Sequence, residues 1–376
     1  MSEVVFWASL GLIGYTVLGY GTIVRVLARL RGRPAWTQTQ AIRPRVSVVI
    51  SAYNEGPRIA DRLRNLLAAA YPAEMLEILV GSDGSTDDTV EAARAFGARV
   101  TVAAFNGRRG KAAVLNDLVP ASTGEILVFA DARQQFDAGA IAALVSHFAD
   151  PAVGAVSGAL ILLDEGESAA GVEGAAAYWE AEKRIRWAES RFDSTVGVTG
   201  AIYAIRRELF QPLPSDAILD DVIVPMRIVR QGYRVLFDPD ARAFDRRAKS
   251  DAQEFGRKVR TIAGNFQMFR HESWLLSPVR NRLWWQTISH KGLRLVLPLC
   301  YLTAFVSNLL LLDQPFYQFT LAGQAALWIL GGIAFAAPAA RRAIPALAVP
   351  YAVGFLMVAT VVGFLRFSTG QQKVTW

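Results

Sequence analysis

In FADARQQF (residues 129–136) an apolar run ends at Asp131, and Arg133 follows two positions later. Two carboxylates at that spacing can share a divalent cation, because donor oxygens and water complete its octahedral shell. Here the second acid is replaced by a guanidinium, whose planar fork suits phosphate oxygens. The stretch reads as a damaged metal site, a different phosphate site or a plain strand end. GRRGKAAVLN places Lys111 at a helix start, where a cation and a helix N-terminus directed to one place favour a diphosphate. ILDDVIVPMRIVRQGYRV sets Asp220 beside Asp221. Adjacent carboxylates raise one another's pKa, which helps a base near neutrality, although acids also favour a helix start for purely structural reasons. SAYNE and GSDGSTDD contribute Tyr53, Asn54, Glu55 and Asp83, residue types that turns and helix caps also use.

The elements that would position these groups are legible in the hydrophobic pattern. VSVVI (46–50) is a β-branched strand, and RIADRLRNLLAAA (58–70) carries Ile59, Leu63, Leu66 and Leu67 at helical spacing. EILVGSD (77–83) is a second strand, and STDDTVEAARAFG (85–97) has helix caps at both ends. RVTVAAF, GKAAVLNDLV, EILVFAD and AGAIAALVSHF continue the alternation. The series predicts an α/β fold with a mostly parallel, doubly wound sheet. Ligands of such sheets bind beyond the carboxyl ends of the strands. SAYNE, GSDGSTDD, NGRRGK and DAR all fall at those ends.

Of the 376 residues, 52% are hydrophobic and only 19% charged, and the apolar excess lies at the two ends. Val4–Val24, Leu295–Leu312, Gln314–Ala340 and Ala343–Leu365 are uncharged and long enough to cross a bilayer. The first has neither a basic leader nor a small-residue cleavage site, so it reads as an anchor. Arg25, Arg29, Arg31 and Arg33 follow it, and basic flanks stay cytoplasmic. The N-terminus is therefore expected outside and the middle of the chain inside. His290, Lys291 and Arg294, then Arg341 and Arg342, fit that orientation, while Arg366 and Lys373 run against it. The net charge of +7 suits an anionic leaflet and an anionic substrate. Nothing patterns as a nucleic-acid reader. The single cysteine, Cys300, lies in an expected span, which excludes an intrachain disulfide and a thiolate metal cluster.

Taken in order, VSVVISAYNE, GSDGSTDDT, GKAAVLN, DAR, VTGAIYAIRR and LDD resemble glycosyltransferase family 2 with the GT-A fold, over about Val46 to Ser277. The flanking spans make the chain similar to the branch that includes cellulose, chitin-oligomer and hyaluronan synthases. The resemblance implies residues 1–30 as a membrane helix, 43–250 as the GT-A domain, 251–294 as amphipathic interface helices and 295–376 as three further spans with a short tail. It implies an inverting enzyme that takes a nucleotide-diphosphate sugar, UDP-linked by preference, with Mg2+ or Mn2+. The acceptor would be a hydroxyl of a growing polysaccharide. The alternatives are a single transfer to a lipid carrier or membrane lipid, and an inactive nucleotide-sugar-binding subunit.

Residue by residue, the resemblance puts Tyr53, Asn54 and Glu55 along the nucleotide, Asp83 on the base or ribose, and Lys111 on the diphosphate. Asp131 matches the metal-binding acid, and Arg133 would then contact a phosphate or the sugar. Thr199 and Gly200 match the loop near the acceptor. Asp221 corresponds to the general base, with Asp220 supporting it. The Gln-x-x-Arg-Trp element of processive members is replaced by RKVRT, Arg257 to Thr261. Arg260 keeps the position facing the diphosphate, with Arg257 one turn earlier. Thr261 cannot form the aromatic floor for an acceptor sugar, which weakens processivity more than catalysis.

Overall fold

The computed structural model describes residues 1–32, 42–163, 171–246 and 250–375, side chains excepted at 171–179 and 342. Arg33 lies outside the described residues. Strands β1 (Val46–Ala52), β2 (Leu76–Asp83), β3 (Thr101–Phe105) and β4 (Ile126–Asp131) form a parallel half-sheet. Every residue of β1 is buried, as a strand covered on both faces requires. Among the described residues the sheet has eight strands in the order β3-β2-β1-β4-β7-β6-β8-β5, with β5 (Gln135–Phe136), β6 (Val153–Leu163), β7 (Ile202–Arg206) and β8 (Arg234–Arg246). β7 runs antiparallel to β4 and β6, so the mostly parallel sheet carries an antiparallel insertion beside its centre. Side chains alternate between two cores: Val48 and Ile50 pack with Ile59 and Leu63, whereas Val49 packs with Leu115 and Phe129. Each fully buried aliphatic side chain contributes about 1.5–3 kcal/mol of transfer free energy.

Helices α2 (Gly56–Leu67), α3 (Thr89–Arg94), α4 (Lys111–Ala121), α5 (Ala140–Ser146), α6 (Gly171–Phe192) and α7 (Asp220–Arg230) cover the sheet. α3 begins later than the sequence suggests. Asp87 accepts from the amides of Gly56 and Thr89, so these polar residues tie the β2 and β1 loops together instead of extending the helix. In the parallel register Ala52 stands opposite Ser82, and Ser51 opposite Asp131. The loops after β1, β2 and β4 therefore open side by side at one edge of the sheet.

Among the described residues four helices are long and apolar enough to cross a membrane: α1 (Ser2–Arg31), α9 (Trp284–Leu309), α10 (Pro315–Ala336) and α11 (Pro345–Ser368). Between sheet and membrane helices lies α8 (Asp251–His271), capped where Ser250 accepts from the Gln253 amide. Phe255 meets Phe355, and Phe266 stacks on Phe367, along α11. α9 starts at Trp284, earlier than its uncharged core, and so takes His290, Lys291 and Arg294 into its first turns. Hydropathy hid that start because the charges that interrupt it meet carboxylates of α6.

Candidate active site

Lys111 is the centre of the polar cluster at the strand ends. The first residue of α4, it is carried there by the loop after β3, and Gly110 immediately before it adopts φ 95°, a left-handed conformation that favours glycine. Its Nζ lies 3.2 Å from a carboxylate oxygen of Asp131, at the end of β4, and 3.2 Å from Asp220, at the start of α7. Three elements distant in sequence thus converge on one ammonium group. Burial opposes that charge, but Asp131, Asp220 and Asp221 outweigh it and raise the Lys111 pKa, so the group stays protonated. The hydroxyl of Tyr203 on β7 donates to Asp220 at 3.4 Å, and its ring stacks on Phe129 of β4 with centroids 4.6 Å apart.

Asp221 is pushed up to about 6, first by burial and then by the negative charge of Asp220, against the opposing pull of Lys111, Lys291 and Arg186. A carboxyl group in that range can accept a proton near neutral pH. Gly200 lies against it: a Cβ there would stand 3.1 Å from the Asp221 carboxylate. The Val198 amide donates to the Asp221 carbonyl at 2.8 Å, which locks the Thr199–Gly200 loop to the start of α7.

At the ends of β1 and β2, Asp83 is fully buried, and its two oxygens accept from the amides of Arg109 and Gly110 at 2.7 and 2.8 Å. It fixes the loop that presents Lys111. Asn54, at φ 52°, bonds Ser85 and Thr86, and the Glu55 amide donates to Thr89. These bonds join the two loops into one wall. Arg108 lies over the Tyr53 ring, 3.7 Å from its centre.

On the far side, Arg260 of α8 lies close enough to Asp220, Asp221 and Asp131 for their charges to support its own against burial. Arg260 donates to the Val374 carbonyl at 3.3 Å, and the Val374 side chain would meet a Cβ at Gly110 at 3.0 Å. The C-terminal segment therefore returns to the rim of the site. Arg133 is placed differently from Asp131: its guanidinium pairs with buried Asp245 at 3.0 Å, and Arg257 stands near both. Lys111, Asp131, Asp220, Asp221 and Arg260 are thus brought together, while Arg133 and Arg257 form a separate cationic edge.

Among the described residues no group of three or more His, Cys, Asp or Glu side chains could by itself hold a metal ion. The donor set fits a hard cation only with Asp131 as a single protein carboxylate and phosphate oxygens supplying much of the rest. Sequence reasoning missed Tyr203, Arg186 and the returning C-terminal segment. Only Tyr203 carried a signal, in the strand alternation that sends it to the opposite face from Ile202 and Ala204.

Residues 44–264 match the family described as Glycosyltransferase like family 2, and the chain belongs to it. It is a glycosyltransferase of an inverting family, with a GT-A-like sheet and a nucleotide-sugar donor. A beta-monoglucosyldiacylglycerol synthase of Nostoc sp. (strain PCC 7120) is 32% identical over 160 residues, 41% of this chain and 34% of that protein. A poly-beta-1,6-N-acetyl-D-glucosamine synthase of Staphylococcus epidermidis is 23% identical over 295 residues, 73% of this chain and 68% of that one. The matched region thus spans about a third of the first relative and about two thirds of the second. A mannosyltransferase from Pyrobaculum calidifontis, solved with GDP-Man and Mn2+, superposes with a TM-score of 0.74 at 24% identity. That similarity covers 98% of this chain and 99% of the other, membrane-length helices included.

Proposed function

We propose that this chain is a multi-pass membrane enzyme that transfers a sugar, with inversion, from a nucleotide-diphosphate sugar to a hydroxyl of a growing polysaccharide. The observation that carries this reading is the Lys111 ammonium held between Asp131 and Asp220, with Asp221 beside them. In the proposed reaction Asp221 takes the proton of the acceptor hydroxyl as that oxygen attacks the anomeric carbon. Asp220 keeps the Asp221 pKa high, and Lys111 and Arg260 face the departing diphosphate. Asp131 would hold one Mg2+ or Mn2+, which when bound neutralises diphosphate charge. Tyr53, Asn54 and Glu55 form the wall along the nucleotide, Asp83 lies buried behind them and supports the Lys111 loop rather than the base or ribose, and Thr199 and Gly200 line the acceptor side. Arg133 and Arg257 are assigned to the outer donor edge, where Arg133 keeps donors beyond its pair with Asp245.

Residues 43–250 form the catalytic unit in this reading, and 251–294 lie along the membrane face. In this reading the catalytic unit faces the cytoplasm under the cell membrane, which the basic ends of the spans support. One sequence feature favours a single transfer to a membrane lipid instead: Thr261 occupies the motif position at which the resemblance to processive members implies a tryptophan. The monoglucosyldiacylglycerol synthase relative supports the same alternative. Purified protein in lipid vesicles, offered UDP- and GDP-sugars with Mg2+ or Mn2+, separates the two. A ladder of oligosaccharides supports the polymer, and one sugar per lipid supports the alternative.

A further inference from the structure

Behind the acceptor loop lies a second charged cluster, closed from solvent, that the proposed reaction does not use. Glu182, Arg186 and Glu189 share one stripe of α6 and are 4%, 9% and 0% exposed. His290 of α9, wholly buried, stands between the two acids. Its Nδ1 is 2.8 Å from Glu189 and its Nε2 is 2.9 Å from Glu182. Each ring nitrogen of His290 thus faces a carboxylate oxygen. The Tyr20 hydroxyl of α1 donates to Glu189, and Arg294 pairs with Glu182 at 3.2 Å. From this knot Arg186 reaches toward the catalytic side. Its Nε lies 3.4 Å from Glu182, and its Nη1 donates to the Thr199 hydroxyl at 2.9 Å. The Thr199 amide in turn donates to Ser157, and Gly200 follows directly against Asp221.

We propose that Arg186 is a positioning residue for sugar transfer: held by Glu182, which His290 fixes in turn, it keeps the Thr199–Gly200 loop against Asp221 and ties that loop to membrane helices α1 and α9. The inference rests on Asp221 being the base. Arg186 acts through Thr199 by contact and on Asp221 by its charge. The other charged or titratable groups facing Asp221 are Asp220 beside it, Lys111 of α4, Lys291 of α9, Arg260 of α8 and Tyr203 of β7. Arg186 favours the ionised base, and its removal makes Asp221 harder to ionise.

The test uses the full chain in lipid vesicles and compares Arg186→Gln, Arg186→Lys and Thr199→Val with wild type. In Arg186→Gln, kcat falls on the order of tenfold to a hundredfold while donor KM stays within about twofold. The acid limb of its kcat/KM profile moves upward by roughly one pH unit. Arg186→Lys restores the limb, because it restores the charge. Thr199→Val lowers kcat without moving the limb, and it carries the test if Arg186→Gln does not fold. An unmoved acid limb in a folded Arg186→Gln, or a donor KM that rises in step with the loss of kcat, overturns the proposal. Turnover by Asp221→Asn at the wild-type rate would instead refute the base assignment, so the two failures are distinguishable.

Discussion

At the strand ends, Asp220 and Asp221 stand together at a helix start, and Lys111 is shared between Asp220 and Asp131. Behind α6, Glu182 and Glu189 stand apart, each against His290, with Arg294 and Arg186 on the first and Tyr20 on the second. Both clusters are built from carboxylates and cations taken out of water, yet their acids shift in opposite directions. Asp221 is pushed up to about 6 because burial and a neighbouring acid outweigh its cations. Glu189 is held below the usual range because His290 and hydrogen bonds from Tyr20 and the Val196 amide outweigh burial, and Glu182 well below it because His290, Arg294 and Arg186 do. The balance of charge within about one side chain's reach, rather than burial alone, separates a proton acceptor from a structural tie.

Asp221→Asn should break the first cluster's chemistry most severely, with kcat reduced roughly 10²- to 10⁴-fold and nucleotide affinity retained. The same change should raise the melting temperature. A carboxyl whose folded pKa is raised to about 6 binds its proton more tightly folded than unfolded, so its ionisation weakens the fold as pH rises from about 4 to about 6. A neutral amide removes that penalty. Lys111→Gln leaves Asp131 and Asp220 without their shared cation, and kcat/KM should fall roughly 10²- to 10³-fold in steady-state assays.

Glu189→Gln tests the second cluster. Breaking a buried pair costs about 3–5 kcal/mol, and thermal denaturation should show it as a large fall in stability at neutral pH. With pKa values depressed in the folded state, Glu182 and Glu189 stabilise the protein above the unfolded carboxyl range. That contribution should disappear as pH falls through their folded values, below about 4. Smallest is Gly200→Ala, where a Cβ at 3.1 Å from the Asp221 carboxylate should lower kcat roughly tenfold with little change in stability.

The two clusters also differ in how far the sequence reveals them. The polar runs after β1, β2 and β4 are visible because a β-branched strand followed by turn residues is a local pattern, and parallel pairing then aligns their ends. The role of Asp83 was less visible. Its buried carboxylate serves the backbone of a loop 26 residues away, and loop closure leaves no periodicity to read. β7 was hidden for a similar reason, since its antiparallel place beside β4 is decided by pairing across distant segments. The cluster around His290 is the extreme case. His290 meets acids 101 and 108 residues away, and Tyr20 meets Glu189 across 169. Hydropathy read the charges around His290 as a boundary of the span, whereas they are held inside its first turns by α6.

The most direct measurement is release of nucleotide diphosphate by the purified full chain in lipid vesicles. UDP- and GDP-sugars would be supplied with Mg2+ or Mn2+, with Asp221→Asn run in parallel. Wild type should turn over at least one donor and form a glycoside of inverted anomeric configuration, while Asp221→Asn binds the same donor and releases almost nothing. Equal release by the two proteins, or a glycoside of retained configuration, would contradict the assignment of Asp221 as the base of an inverting transfer.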